Sequence, residues 1–422
     1  MELIVSLAIF AVVMILIMSE KINRTIAALT GASAILLLRI MTFDQALSYI
    51  DFNTLGVLVG MMIIVGIVKN TGAFEYLAIF ASKQAKGDPW KIILSLSIIT
   101  ALVSGILDNV TTVLLIVPMT FVITDTLELD PIPFLIPEII SSNLGGTATL
   151  IGDPPNIMIG SATGLGFTDF LLNLGPIVVI IFITIFFILK LVFRKQLVVA
   201  EDKKLEIMSF DEKKAIKDPT LLKKSLVVLG LVILGFFFHE QLNYPSALVA
   251  LAGAALLLLL SGESVDEVFL NVEWPTLFFF GGLFILVGTL EEVGFINDMA
   301  SAIVHLTKGN LLLTGIIIIW FSALASSVLD NIPFVATLIP LIKAMGAQGG
   351  IDITPLWWAV SLGACLGGNG TLVGASANVI VAGLAEKRGY KLTYSQYFKY
   401  GFPLMILSIL LSTIYLILFY LL

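Results

Sequence analysis

The sequence predicts an all-α polytopic membrane protein with about ten transmembrane helices plus two opposed re-entrant hairpins in two inverted repeats. Three observations lead there. The 422 residues are 58% hydrophobic and only 13% charged, which is more apolar surface than a soluble domain hides. Many apolar runs approach the roughly 20 residues that a helix needs to cross a bilayer. A costly pattern also occurs twice, as S-G-I-L-D-N-V-T-T-V-L-L-I-V-P at 104–118 and S-S-V-L-D-N-I-P-F-V-A-T-L-I-P at 326–340. Asp108 and Asp330, Asn109 and Asn331, and Pro118 and Pro340 are each 222 residues apart. A carboxylate at membrane depth costs about 3 kcal/mol or more, so a repeated one marks a function.

The elements follow in order. Residues 3–18 form the first span, and the lack of a basic flank or a small-residue cleavage site marks 1–18 as a retained span and not a removed signal peptide. The polar turn 19–24 leads to a second span at 25–40. A polar stretch, 44–51, precedes a glycine-containing span at 53–68. Residues 72–86 mix polar and apolar positions and read as an amphipathic helix lying in the interface. The apolar stretch 90–123 is too long for one crossing and carries S-G and D-N near its centre. It fits a hairpin over about 90–124 with its tip at Asp108-Asn109, a geometry tolerated only where it is buried in protein or lines a cavity. A span over about 134–163 is broken by Gly145-Gly146-Thr147 and Gly152-Asp153-Pro154-Pro155, which no continuous helix accommodates. Residues 170–193 close the first repeat, 1–193.

Residues 194–224 are the one long hydrophilic segment and read as a linker outside the membrane. The second repeat, 225–422, has spans at 225–238, 246–260 and 275–290 and an interfacial stretch at 291–308. Its hairpin covers about 311–343 with the tip at Asp330-Asn331. A broken span follows at about 356–385 with Gly367-Gly368-Asn369-Gly370, and a last span at 401–420. The 222-residue offset also matches 51–55 with 273–277, Gly60, Gly66 and Gly72 with Gly282, Gly288 and Gly294, and 144–156 with 366–378. Five crossings per repeat invert the second against the first. Placing the linker in the cytoplasm and both termini outside leaves only Arg39, Lys308 and Lys343 of the 23 Lys and Arg outside, a strong positive-inside bias. The expected location is the plasma (inner) membrane.

Inverted repeats with paired broken helices point to a secondary transporter's site near the midplane. Half-helix N-termini suit an anion, and unwound carbonyls suit a cation. The cation or proton sites are expected at Asp108, Asn109, Asp330 and Asn331, with Na⁺ placed at Asn109 and Asn331. The expected substrate positions are Ser104, Thr111, Thr112, Gly146, Thr147, Thr149, Asp153, Asn156, Ser326, Gly368, Asn369, Thr371, Ser376 and Asn378, and Asn143 and Thr337 lie in the same clusters. Plainer roles stand beside these. Asn109 and Asn331 can cap the second hairpin arms, glycines can serve close packing, Thr111 and Thr112 can back-bond within their helix, and Asp153 can cap the helix that Pro154 begins. Cys365 reads as a small packing residue, and His239 and His305 read as solvated residues at span ends. No Lys or Arg falls inside the clusters, so an anion would be held by amides, hydroxyls, helix ends and a co-bound cation. The intramembrane carboxylates point instead to a proton or Na⁺ step.

The single cysteine excludes an internal disulfide and a multi-cysteine metal site, and two histidines leave no histidine-based one. No cofactor is expected beyond bound Na⁺. The partners are the lipid bilayer and a small ionic solute moving with H⁺ or Na⁺. The net charge of −7 lies in loops, and no basic patch interleaved with aromatics points to nucleic acid.

The motifs L-D-N-V-T-T-V-L-L, G-G-T-A-T-L-I-G-D-P-P-N, L-D-N-I-P-F-V-A-T and L-G-A-C-L-G-G-N-G-T-L-V-G-A-S-A-N together resemble the arsenite-permease and sodium–proton antiporter (ArsB/NhaD) family of the ion transporter superfamily. The resemblance runs over nearly the whole chain. It lies nearest the branch holding the melanosomal P protein, with a citrate-transporter-like domain. It implies a scaffold domain, a transport domain with two opposed hairpins, a homodimer and elevator-type alternating access. The related divalent-anion symporters carry Ser-Asn-Thr at the hairpin tips. Here the tips read Leu-Asp-Asn, with Ser104 and Ser326 upstream, which leans away from dicarboxylates.

These observations define the expected function. The chain is expected to be an ion-coupled secondary transporter, H⁺ or Na⁺ linked, moving a small inorganic ion or anion by Na⁺/H⁺ or arsenite-type exchange. Residues 90–163 and 311–386 would form its mobile unit. A Na⁺-coupled di- or tricarboxylate transporter, an anion channel on the same fold, and an intramembrane hydrolase using Asp108 and Asp330 as a dyad are the competing readings.

Overall fold

The computed structural model describes residues 1–19, 21–349 and 352–422, and among these every regular element is helical. The first repeat contains α1 (Glu2–Met18), α2 (Arg24–Leu37), α3 (Phe43–Tyr49), α4 (Phe52–Asn70), α5 (Ala73–Gln84), α6 (Pro89–Ser104), α7 (Asn109–Leu127), α8 (Ile132–Thr147), α9 (Pro154–Thr163) and α10 (Phe167–Phe193). After α11 (Glu201–Met208) and a 3₁₀ turn (Glu212–Ala215), the plan returns. The second series is α12 (Pro219–Phe238), α13 (Ser246–Ser261), α14 (Val265–Phe269), α15 (Trp274–Glu292), α16 (Phe295–Thr307), α17 (Leu311–Ser326), α18 (Asn331–Gly349), α19 (Thr354–Gly367), α20 (Ser376–Lys387) and α21 (Tyr394–Leu416), which ends in a π turn (Ile417–Leu421).

Local chemistry sets these boundaries. Asn23 accepts from the Thr25 amide to start α2, Asp51 accepts from the Asn53 and Thr54 amides to start α4, and Asp88 accepts from the Lys91 amide where Pro89 opens α6. Gly72 and Gly294, matched across the repeats, both sit at φ +81° ahead of α5 and α16, a backbone that a side chain would strain. The matched pairs α4/α15, α6/α17 and α7/α18 begin and end 222 residues apart.

The two repeats are interlocked. Helix α13 packs on α4 of the first repeat, and α2 packs on α15 of the second. Glycines allow the approach, since a β-carbon on Gly60 would press on the Ala250 backbone and one on Gly282 on the Ala28 backbone. Each hairpin's first arm lies along the first half of its own broken span, α6 on α8 and α17 on α19. The second arms cross over, α7 against α20 and α18 against α9. The two hairpin tips are thereby brought to the breaks of both broken spans.

Among the described residues, six helices are long and apolar enough to cross a membrane unaided: α4, α7, α10, α12, α15 and the Tyr394–Leu421 stretch. Helices α1, α2 and α13 are apolar but shorter, and the broken spans fall into halves that do not qualify singly. The polar stretch 44–51 and its counterpart are not plain connections, because they fold as the short helices α3 and α14. The segment 194–224 is not an open linker. Its Lys203 and Glu212 pair with Glu128 (2.8 Å) and Lys83 (2.6 Å), and the Lys217 amide donates to the Thr71 carbonyl (2.9 Å). The hydrogen bond from Lys83 holds the Glu212 carboxyl below its usual range. Asp218 caps α12, so residues 219–224 belong to that helix. His239 is buried, not solvated, with Nδ1 3.0 Å from the Tyr244 carbonyl oxygen, because the chain folds back over it.

A β-carbon at Gly145 would collide with the Ala101 backbone, whereas one at Gly230 would meet nothing. Gly145→Val is therefore expected to destabilise the protein by about 3 kcal/mol or more, and Gly230→Ala to leave it unchanged. Thermal melting of the two purified variants in detergent checks this.

Candidate ion and solute site

The site grows from six asparagines and two unwound breaks. Between α8 and α9 the backbone carbonyls of residues 146, 147 and 149 lose their helical partners. The Asn156 amide nitrogen donates to all three, at 3.3, 3.1 and 2.9 Å. The mirror break between α19 and α20 is held the same way, with Asn378 donating to the carbonyls of Gly368 (2.8 Å) and Thr371 (2.9 Å). Hydroxyls fasten each break to its hairpin. Ser104 donates to the Ser142 carbonyl (2.6 Å) and Thr149 to that of Gly105, while Ser326 donates to the Ala364 carbonyl (2.6 Å) and Thr371 to that of Ser327. Gly146 and Gly368 stand where the crossing strands touch, as a β-carbon on either would press on the opposite strand of its own break. Thr147 back-bonds to the Asn143 carbonyl (2.6 Å). A buried carbonyl without a donor costs about 1–3 kcal/mol, which is what these side chains prevent.

The tips divide their two residues differently from the expected capping. Asp108, not Asn109, caps α7, accepting from the Thr111 amide (2.8 Å) and hydroxyl. Thr112 back-bonds to the Asp108 carbonyl (2.9 Å). Asp330 likewise accepts from the Ile332 amide (3.2 Å). The asparagines turn inward. Asn109 donates to the Asn143 side-chain oxygen (3.1 Å), and Asn143 donates in turn to the side-chain oxygens of Asn369 (2.9 Å) and Asn378 (3.0 Å). Asn331 donates to both oxygens of Asp153, at 3.2 and 3.3 Å. Asp153 precedes α9 without capping it through its side chain, so its carboxylate serves the Asn331 contact instead. It is 1% exposed.

Two features break the internal symmetry. The residues matched with Asn143 and Asp153 are Cys365 and Ala375. Cys365 is more than filler: its sulfur lies 3.7 Å from the Asn156 side-chain oxygen, which also accepts from Ser361 (2.6 Å). One tip thus faces an all-amide cluster and the other faces a carboxylate. The second feature is Arg24, which overturns the expectation that no basic residue reaches the clusters. Its guanidinium donates to Asp330 Oδ2 (2.7 Å) and Ser376 Oγ (3.0 Å) and lies over the Phe279 ring at 5.2 Å. Ser376 also donates to Asp330 Oδ2 (3.2 Å).

Asp108 and Asp330 both lie within coulombic reach of Asp153, and Glu273 lies within reach of Asp108 and Arg24. A cavity of about 720 Å³ opens beside this group between α1, α16, α17, α18 and α20. Arg24, Asp330 and Ser376 form its polar end, Thr337 lines it, and its remaining wall is largely apolar.

Sequence reasoning passes over three residues. Arg24 stands in an ordinary polar turn, and its 222-residue mate is Ser246, so the repeat gives no signal. Glu138 on α8 is 1% exposed, with one oxygen accepting from Thr120 (2.6 Å) and the other unpartnered. A charge inside an apolar run was the available signal, but its mate is Val360. Ser361 is a neutral residue in an apolar run and carries none.

A model of the citrate transporter family matches residues 14–363. The chain is 44% identical to an uncharacterized transporter of Mycobacterium tuberculosis, over 98% of this chain and 97% of that one. It is 42% identical to a 46 kDa membrane protein of Mycobacterium leprae, over 99% of each. It is also 34% identical to the P protein of Homo sapiens, where the match takes 98% of this chain and 59% of the longer relative. The solved YdaH transporter of Alcanivorax borkumensis, described as having an unusual topology, has a similar fold, with a TM-score of 0.60 at 13% identity over 89% of this chain and 87% of that one. The matching family and the Mycobacterium tuberculosis relative are transporters, which removes the intramembrane hydrolase reading.

Replacing Asn156 or Asn378 by alanine strands two or three unwound carbonyls. Each variant is expected to lose about 2 kcal/mol or more of stability, with Asn156→Ala the more damaging because its amide holds three carbonyls against two. Thermal melts of the purified variants read the order directly.

Proposed function

The chain belongs to the citrate transporter family, and we propose that it is an H⁺- or Na⁺-coupled secondary transporter moving a small inorganic ion or anion by alternating access. Na⁺/H⁺ or arsenite-type exchange is the chemistry this reading favours, in keeping with the ArsB/NhaD resemblance. One observation carries it. Asp108, Asp153, Asp330 and Glu273 gather around the hairpin tips with one fixed cation, Arg24, among them. Four carboxylates against one guanidinium leave three negative charges without a fixed partner. Uncompensated charge in a membrane interior is expensive, so mobile protons or Na⁺ must offset it.

Asp153 is the coupling site in this reading. It is the most deeply buried of the four, and it joins the first repeat's break to the second repeat's hairpin through Asn331. A cation or proton arriving there changes what holds the two halves together. Asp108 with Asn109 is the second such position. Residues 90–163 and 311–386 form the moving unit against the interlocked helices α2, α4, α13 and α15, in an elevator-type cycle within a homodimer. The protein sits in the plasma membrane with residues 194–224 cytoplasmic and both termini outside.

A Na⁺-coupled di- or tricarboxylate transporter is the second reading. The family's description favours it, as does the Asn369 amide nitrogen, which is buried without a partner and available to a carboxylate oxygen. The acidic surroundings oppose an anion channel on the same fold.

Purified protein in proteoliposomes with an interior pH dye tests the proposal. Na⁺, arsenite and citrate are added outside in turn at fixed membrane potential. Wild type is expected to give a pH change with at least one of them, and Asp153→Asn to abolish it while remaining folded. A wild-type-sized response in Asp153→Asn contradicts the coupling role.

A further inference from the structure

We infer that Arg24 is a tethered cation that fills the Asp330–Ser376 site in this conformation and competes there with the mobile coupling cation. The inference rests on the cation-coupled reading above and adds a residue and a mechanism to it.

The guanidinium is poorly placed for any other purpose. Arg24 is the first residue of α2, the positive end of the helix dipole, where a cation is disfavoured. Its partner Ser376 opens α20, a second helix N-terminus facing the same charge. Asp330 supplies the compensating charge in direct contact, at 2.7 Å. Phe279 of α15 lies against the guanidinium on its other side. Arg24 and α15 belong to the interlocked group, while Asp330 and Ser376 belong to the hairpin tip and the broken span. The ion pair therefore bridges the two groups that must part for alternating access.

Among the described residues, the matched positions in the other half form no ion pair. Ser246 occupies the position matched with Arg24, and it pairs with Asn53 (3.1 Å) and carries no charge. Asp108, matched with Asp330, accepts from Thr111 of its own helix. The two tip aspartates are consequently inequivalent: Asp108 accepts from neutral donors of its own helix, and Asp330 is held by a built-in cation. The charged groups around Asp330 are Arg24 from α2, with Glu273 ahead of α15 linked to it through Thr276, and Asp153 ahead of α9. When a mobile cation occupies Asp330, the guanidinium loses its anion and α2 is freed from the tip. Linkage makes the effect reciprocal, so the tether weakens cation binding by the factor with which the cation weakens the tether.

The experiment titrates full-length protein in detergent with NaCl against choline chloride at constant ionic strength, and separately with pH, reading the thermal-shift midpoint. The comparison is wild type, Arg24→Gln, Arg24→Lys and Asp153→Asn. Arg24→Gln is expected to reach half-saturation at about tenfold lower Na⁺ or H⁺ concentration, a change typical of site-to-site coupling. Arg24→Lys, which keeps the charge, is expected to stay near wild type. An Arg24→Gln midpoint equal to wild type, with Asp153→Asn still blunting the response, overturns the tether and leaves cation coupling standing. A wild type that responds to neither ion overturns both.

Discussion

Negative charge held in an apolar interior with too few fixed cations is the constraint on which this structure depends. A carboxylate removed from water must be paired, hydrogen-bonded or neutralised. Asp51 shows the static solution: it accepts from two backbone amides, the Thr54 hydroxyl and Ser161 (2.8 Å), and stays a helix cap. Asp153 shows the other kind. Among the described residues it has no cationic side chain within salt-bridge distance, and it depends on a neutral amide from a distant segment. A carboxylate held this way calls for a proton or a bound cation beside it, which is the ground for the coupling role proposed above.

The unwound breaks make room for that device. A continuous helix presents no free carbonyls, so a site at the centre of a helical membrane protein requires broken backbone, and broken backbone requires donors. Asn156 and Asn378 supply them, and their side-chain oxygens then face Ser361 and Cys365 on one side and Asn143 on the other. The same two residues therefore hold both breaks and the polar cluster between them.

Duplication made much of this legible. Where both copies kept a residue, as at Asp108/Asp330, Asn156/Asn378, Ser104/Ser326 and Thr149/Thr371, the 222-residue offset exposed it, and the structure gives the mates matching contacts at the last three pairs. The hairpins and broken spans were readable for the same reason, although Gly145-Gly146 lie inside the end of α8 and the chain unwinds only after Thr147. What the offset hid was the asymmetry. Arg24, Glu138 and Ser361 have mates of a different kind, and Arg24 meets Asp330 across 306 residues of sequence, which no local pattern encodes. The roles within the Asp-Asn pair were also hidden. Both residue types cap helices well, and only the tertiary position of Asn143 and Asp153 draws the asparagines inward. The docking of 194–224, with its short helix α11, was masked by its hydrophilic composition, which suits a solvated linker and a docked surface segment equally.

The most direct measurement of the central claim is infrared difference spectroscopy of the carboxyl band in the purified protein, recorded as pH is raised and as Na⁺ replaces choline. The account predicts a protonated-carboxyl signal that disappears with rising pH or with added Na⁺, and that is diminished in Asp153→Asn. A spectrum without a carboxyl change under either condition, or one unaltered in Asp153→Asn, would contradict it.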